Sequence, residues 1–322
     1  MPVDATTAVL EAVGAPAPVS LEPLTGGTYN TVTRVTFGDG GQWVVKVPPA
    51  HSAGLSYEQH LLVNEVTFYD AAAEAGATIP RVVHSELDPG APTGAYIVMT
   101  ARPGRAWSAI GDGLTPDETR GLRAEFGGIV GRLHRVTGPG FGYPGGALGP
   151  LSATWREAFT AMTDAVLRDA EGYGARLPLP VDRIREVLAG ASDVLDEVTR
   201  PALVHFDLWQ GNLLVTGEPG ARRVGGIIDG ERMFWGDPVA DLVSTSLFGD
   251  PEADLDFLAG YAGATGSPVV FTPSLRRRLG LYRGYLYLIM LTETVPRGYG
   301  SEEVAGTWEA VAPRLVAALE EL

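Results

Sequence analysis

Cysteine is absent from the 322-residue chain, which excludes disulfides, cysteine-ligated zinc and thiol catalysis. Lysine is nearly absent: of 24 basic residues, 23 are arginine and one, Lys46, is lysine. Positive charge is scarce overall, and the formal net charge is -15. Such a chain repels nucleic-acid backbones and anionic lipid, so neither is an expected partner. The most apolar late stretch, residues 279–291, contains Arg283 and is shorter than the ~20 residues a membrane span requires. Residues 1–14 lack the basic start and apolar run of a secretory signal. The expectation is a cytoplasmic protein with no nucleic-acid or membrane partner. Its acidic balance would draw a cationic small molecule.

What is present is enough apolar material for a large core, with 45% hydrophobic and 20% charged residues. The length suits one large domain or two of ordinary size. Glycine and proline are spread along the chain and read as turns, not as a disordered tract.

Residues 19–24 alternate apolar and polar until Gly26-Gly27 interrupts them. Residues 31–37 set Val32, Arg34 and Thr36 against Thr31, Thr33, Val35 and Phe37, the period of a strand. Gly38-Asp39-Gly40-Gly41 marks a hairpin turn, and residues 42–47 form a third strand carrying Lys46. Residues 58–76 read as a helix, with Leu61, Leu62, Glu65, Val66 and Tyr69 at helical spacing and Gly76 at its end. Residues 81–87 and 95–100 read as two more strands. Beyond residue 101 helical spacing takes over in Phe126, Ile129, Val130 and Leu133, then in Trp155, Phe159 and Met162, then in Ile184, Val187 and Leu188. Only residues 201–229 break that pattern, with short apolar runs. A strand-rich part, 1–101, thus meets a helix-rich part, 102–322. Clefts at such junctions favour ligand sites.

The chemistry-bearing residues fall in an order that suits phosphoryl transfer. That reaction needs an anion cradle, a cation on the phosphates, magnesium ligands and a carboxylate facing the attacking hydroxyl. Gly26, Gly27, Thr28 and Asn30 supply a cradle in which backbone N–H groups approach phosphate oxygens; alone, a Gly-Gly turn is an ordinary hairpin. Lys46 lies on the strand after the hairpin, where it needs a buried partner. Glu65 on the following helix is the natural one. His205-Phe206-Asp207-Leu208-Trp209-Gln210-Gly211-Asn212 has the spacing H-x-D-x-x-x-x-N of a kinase catalytic loop. Asp207 would accept the substrate hydroxyl's hydrogen bond, and Asn212 would give a neutral oxygen to magnesium. His205 would orient the loop. Asp229 ends the apolar run 224–228 and is the second metal candidate, with Glu231 beside it facing a substrate amine or acting through magnesium. In Gly236-Asp237-Pro238-Val239-Ala240-Asp241-Leu242, Asp241 either braces the loop or caps a helix. His134 reads as a structural histidine, and Trp209 lines the substrate site or packs.

These segments resemble the aminoglycoside phosphotransferase and choline kinase-like family. Its loop H-G-D-x-x-x-x-N, its I-D-(aromatic)-E and its G-D-P-x-x-D-L stand here as H-F-D-L-W-Q-G-N, I-I-D-G-E and G-D-P-V-A-D-L. The resemblance implies an α+β, bilobal protein-kinase-like fold, with an antiparallel-sheet N-lobe over 1–101 and a mainly helical C-lobe over 102–322. It implies ATP or GTP with Mg2+, Asp207 as catalytic base, Asn212 and Asp229 as metal ligands, and Lys46 with Glu65 at the phosphates. Asp237 and Asp241 would support the site, and Met99-Thr100-Ala101 would be the hinge contacting the base. Two positions depart: Phe206 replaces a glycine and Gly230 an aromatic. A size exchange between them would account for both.

The first functional expectation is therefore a kinase acting on a hydroxyl of an amino sugar or aminoglycoside-type antibiotic. The alternative is a metabolic kinase for fructosamine, choline or homoserine, since Asp-Leu-Trp-x-Gly-Asn also resembles the fructosamine kinase loop. A binding module, a pseudokinase holding nucleotide without turnover, is disfavoured by the intact set Lys46, Asp207, Asn212 and Asp229.

Overall fold

Strict alternation in the first hundred residues builds a sheet between two helices. The computed structural model describes residues 2–24, 30–49 and 53–322. Helix α1 (Pro2–Ala12) leads into β1 (Pro18–Leu24), β2 (Thr31–Phe37) and β3 (Gln42–Val47). Helix α2 (Leu61–Glu74), β4 (Val82–Glu86) and β5 (Tyr96–Thr100) follow. The five strands form one sheet in the order β1-β2-β3-β5-β4, and every pairing is antiparallel. The expected glycine turn closes β2 onto β3, with the Phe37 N–H bonded to Gly41 O at 2.9 Å.

The period of two sorts the side chains. Val35, Phe37, Val45, Tyr96 and Val98 pack with Val9 and Leu10 of α1. Val44, Ile97 and Met99 join the core that contains Leu61, Phe68, Tyr69 and Ala72 of α2. Lys46 shares its parity with Val44 and lies opposite Ile97. The pleat therefore aims the only lysine at α2.

The rest of the chain is mainly helical. Strand β6 (Arg105–Ala106) precedes α3 (Pro116–Leu133), α4 (Trp155–Tyr173) and α5 (Val181–Gly190). Threonine capping boxes with Glu118 and Glu157 start α3 and α4. Then come β7 (Ala202–Val204), β8 (Leu213–Thr216), β9 (Arg223–Ile227) and β10 (Phe234–Gly236). Helices α6 (Asp241–Thr245), α7 (Leu255–Thr265), α8 (Pro273–Thr292) and α9 (Ser301–Glu320) complete the order. Helices α3 and α7 approach closely because each offers a glycine: a Cβ on Gly127 would lie 2.0 Å from Phe257 O, and one on Gly260 1.9 Å from Ala124 O. Among the described residues no helix is long and apolar enough to cross a membrane.

Two small antiparallel ladders place the loop 205–212. Strand β7 pairs with β10, whereas β8 lies between β6 and β9. The loop leaves one ladder and enters the other. Leu213 pairs with Ile227 across β8 and β9, and the Ile228 N–H bonds Asn212 O at 3.0 Å. Register alone thus brings Asn212 and Asp229 side by side.

Candidate active site

Lys46 is buried, and its ammonium meets three carboxylate oxygens at 2.7 Å each: Glu65 Oε2, Asp229 Oδ1 and Glu231 Oε2. Burial works against its charge, but the three carboxylates outweigh burial and hold it well above the ordinary lysine range. One cation faces three acids. The surplus shows in the acids themselves: burial pushes Glu65 up to about 7 against the pull of Lys46, and burial also raises Glu231. Asp229 goes the other way, because Lys46 overcomes the burial that opposes its ionisation. Oxygens of Glu65, Asp229 and Glu231 all lie within 4.8 Å of one another. These three acids hold the Lys46 ammonium, and the negative charge left over favours a hard divalent cation nearby.

Tyr69 completes this cluster. Its hydroxyl donates to Glu65 Oε1 at 3.1 Å and accepts the Asp229 N–H at 3.0 Å. Asn30 Nδ2 donates to Glu231 Oε2 at 2.9 Å. Asn64 Nδ2 donates to Glu231 O at 3.3 Å, and Asn64 Oδ1 accepts from Gly145 N. The Glu231 carboxylate is therefore engaged by Lys46 and Asn30. Both contacts go to Oε2, which lies on the lysine side of the site.

Asp241, fully buried, organises the loop. Its Oδ1 accepts the Phe206 N–H at 2.6 Å, and its Oδ2 accepts the His205 N–H at 3.1 Å and His134 Nε2 at 2.9 Å. Of brace and helix cap, the hydrogen bonds describe a brace. His134 Nδ1 meets the Tyr261 hydroxyl at 2.8 Å, so both its nitrogens have structural partners. The Leu208 N–H donates to Ser244 Oγ at 3.1 Å. His205 Nε2 lies 3.1 Å from Ile228 O, and its Nδ1 accepts the Asp207 N–H at 3.2 Å. Those partners set the tautomer with hydrogen on Nε2, and burial lowers the His205 pKa. His205 holds the loop's shape. Asn212 Nδ2 donates at 2.9 Å to both Asp207 O and Asp207 Oδ2. Burial pushes the Asp207 carboxyl up to about 6, and Arg232 opposes that rise.

The two departures from the family pattern have separate explanations. Phe206 sits at φ +63°, the left-handed region that suits glycine and costs other residues about 1–2 kcal/mol. Its buried ring packs on Phe234 and Tyr285, with centroids 5.1 and 5.6 Å away. The expected size exchange with position 230 is not observed. A Cβ on Gly230 would lie 2.3 Å from Cδ1 of Phe68, so the space belongs to α2. Phe68 in turn sets its ring edge-on to His205, 4.8 Å between centroids.

The remaining expected residues separate. Gly26, Gly27 and Thr28 lie outside the described residues. The Thr100 N–H bonds Arg81 O and the Ala101 N–H bonds Gln42 O, while Met99 pairs with Val44 and Val82 within the sheet. The N–H groups of Thr100 and Ala101 thus hold the strand and do not face a cleft as free donors, which corrects the expected hinge contact for those two groups. Asp237 is buried and tied to α8 through Arg278 and Tyr282 at 2.7 Å each, so it supports the fold away from Lys46. Trp209 is 43% exposed, and its ring leaves no room for a Cβ on Gly211.

Sequence reasoning missed Tyr69 as a polar partner, Phe68, Asn64 and Arg232. Arg232 pairs with Glu293 at 2.8 Å. Glu293 also meets Arg297, which reaches Glu58 at 2.6 Å. For Tyr69 a signal existed: it stands four residues after Glu65, one helical turn on the same face.

Comparisons with known proteins give the family and the fold. A profile of the phosphotransferase enzyme family matches residues 20–281. A probable ketoamine kinase of Lactiplantibacillus plantarum is 26% identical over 290 residues, 84% of this chain and 87% of that protein. Among solved structures, a candidate fructosamine-3-kinase from Thermobifida fusca superposes with TM-score 0.69 at 22% identity, over 98% of each chain. The phosphotransferase APH(2")-IIIa, bound to GDP and kanamycin, gives 0.63 at 18% identity, over 97% of this chain and 98% of that one. The fold is the bilobal, protein-kinase-like α+β fold, with an antiparallel sheet in one lobe and mainly helices in the other. The match spans most of the chain and includes the loop 205–212, Asp229 and Asp241, and on that ground this small-molecule phosphotransferase belongs to the phosphotransferase enzyme family.

Proposed function

We propose that this chain transfers the γ-phosphoryl group of ATP or GTP to a hydroxyl of a sugar-derived small molecule, with a ketoamine as the favoured acceptor. The observation that carries the reaction is the meeting of Lys46, Asp229, Asn212 and Asp207 at the junction of two ladders and α2. Residues 1–101 act as the nucleotide-binding lobe, and residues 102–322 as the catalytic and substrate-binding lobe. Lys46, held by Glu65, meets the phosphates. Asn212 and Asp229 hold magnesium: no protein donor among the described residues engages Asn212 Oδ1, and the surplus carboxylate charge favours a divalent cation. Bound magnesium supplies neutralisation of charge on the phosphates. Asp207 takes the acceptor hydroxyl's hydrogen bond as base, with Asn212 fixing its carboxylate. His205 and Asp241 position the loop. A nucleotide-dependent reaction of this kind belongs in the cytoplasm.

One observation favours a ketoamine over an aminoglycoside: the relative matched over 84% of this chain carries the ketoamine name. The aminoglycoside reading rests on the neighbour that holds kanamycin. Nucleotide consumption with fructosamines, aminoglycosides, macrolides, choline and homoserine separates these readings. The expected result is magnesium-dependent turnover that is fastest on a fructosamine and lost in Asp207→Asn. Fastest turnover on an aminoglycoside would select the second reading, and nucleotide binding without turnover of any acceptor would select the pseudokinase.

A further inference from the structure

Tyr69 closes a ring of contacts that no nucleotide-site role assigned above includes. Lys46 donates to Glu65 Oε2 at 2.7 Å, and the other oxygen of that carboxylate, Oε1, takes the Tyr69 hydroxyl at 3.1 Å. The same hydroxyl accepts the Asp229 N–H at 3.0 Å, and Asp229 Oδ1 returns to Lys46 at 2.7 Å. The ring therefore passes through β3, α2 and the segment just past β9, and within it the Tyr69 hydroxyl is the link from α2 to the backbone of Asp229.

Asp229 is where such a tie is needed. The Ile227 N–H bonds Thr78 O and the Ile228 N–H bonds Asn212 O, both backbone oxygens. Asp229 is the first residue past them, and its N–H depends on a side chain. Its backbone is also left-handed, φ +66°, a conformation that an aspartate holds only when its surroundings impose it. Tyr69 is 2% exposed, so water does not replace its hydroxyl.

We infer that Tyr69 is a positioning residue: it couples the Lys46–Glu65 pair on α2 to the backbone of Asp229, so that phosphate cation and metal ligand are set together. This rests on the reading of Lys46, Glu65 and Asp229 as the nucleotide and metal site. A structural role alone would be met by the ring, because Tyr69 packs with Phe68 in the core below α2. The hydroxyl is what the inference concerns.

Tyr69→Phe tests it. Binding of a fluorescent ADP analogue is titrated directly, with and without Mg2+, alongside thermal unfolding and steady-state kinetics. The expected variant unfolds within a few degrees of the parent. Its magnesium-dependent gain in nucleotide affinity falls about tenfold, the order expected for losing one hydrogen bond to a charged group. Its half-saturating Mg2+ rises, while the acceptor KM is unchanged. Joined with Glu65→Gln, it adds less than it costs alone, because both cut the same ring. Parental Mg2+ dependence in Tyr69→Phe, or full additivity with Glu65→Gln, overturns the inference. Lys46→Met separates this from the underlying reading. If Lys46→Met loses magnesium-nucleotide binding and Tyr69→Phe does not, only the coupling is wrong; if Lys46→Met binds as the parent does, the site assignment falls and the inference with it. Amide exchange in the unmodified protein stands in if Tyr69→Phe does not fold: a protected Asp229 amide supports the tie, and exchange at the unprotected rate overturns it.

Discussion

Restoring the family's aromatic at position 230 should damage this chain, and removing Phe68 at the same time should repair it. The residue at 230 begins a short 3-10 turn, Gly230–Arg232, and its φ is not in the left-handed region. Backbone therefore does not demand glycine there; Phe68 does. A Cβ at 230 would sit 2.3 Å from Phe68 Cδ1, 2.6 Å from Cγ and 3.0 Å from Cβ, against an optimal carbon separation of about 3.5–4.0 Å. Phe68 is fully buried, with Tyr69 and His205 against its ring, so it has little room to retreat. Gly230→Ala should cost about 1–3 kcal/mol by overpacking, and Gly230→Phe more. Phe68→Ala alone should cost about 3–5 kcal/mol through the cavity it leaves. The double variant Phe68→Ala with Gly230→Phe puts a ring back into that space. It should be more stable than the sum of the singles by at least ~2 kcal/mol, well outside the usual additivity error. Urea denaturation of all four proteins measures the cycle. Because Phe68 buttresses His205, turnover should fall in each single variant and recover in part in the double. A Gly230→Ala protein as stable as the parent, or strict additivity in the cycle, would refute the claim that α2 owns the space.

Further outcomes follow from the loop and its buried neighbours. Asp207→Asn should reduce turnover by about 10²–10⁴-fold, the range for losing a general base, while fluorescent-nucleotide titration shows binding retained. The parent's turnover should also fall below pH ~6, as the Asp207 carboxyl, raised to about 6 by burial, takes up a proton. The sign for stability is opposite: a carboxyl raised above its unfolded value stabilises the folded state in its protonated form, and that contribution is lost as pH rises through about 6. Thermal unfolding should therefore favour Asp207→Asn over the parent increasingly from pH 4 to pH 7, and no change in the difference would contradict the buried-charge argument. Phe206→Gly should lose about 3–5 kcal/mol of ring packing and regain about 1–2 from relief of the left-handed backbone; an unchanged unfolding temperature would mean that the ring contributes nothing. Asp241→Ala leaves three buried donors without an acceptor, at about 1–3 kcal/mol each, so it should unfold many degrees lower, while Asp237→Ala, tied to α8 instead, should destabilise without changing nucleotide affinity.

The strands of the first lobe were legible because each is sorted by a local rule. Residues 31–37 and 42–47 end where the structure ends them, since alternation and a glycine turn are both read within a few residues. Lys46 on its strand called for a buried partner, and Glu65 on the following helix, the one expected, meets it. The loop 205–212 was legible as a spacing, and the short apolar runs around it are strands in the structure. That they belong to two different ladders was not legible, because three-residue strands carry no signal of their partner.

What escaped the sequence has a common physical origin: it was settled by contacts distant along the chain. Glu231 looks like a substrate contact beside Asp229, but it faces Lys46, 185 positions away. Position 230 looked like half of an exchange with Phe206, a neighbour in sequence motif. The ring that fills its space comes instead from α2, and composition within the loop holds no trace of it. A motif specifies which backbone must exist; the side chains that press on that backbone are free to come from anywhere the fold brings close. In this chain they come from α2, which carries Glu65, Phe68 and Tyr69 against the lysine, the loop histidine and Asp229 respectively. Any change that shifts α2 by a fraction of a turn would therefore disturb all three contacts at once, and the settings of Lys46, His205 and Asp229 should be lost together.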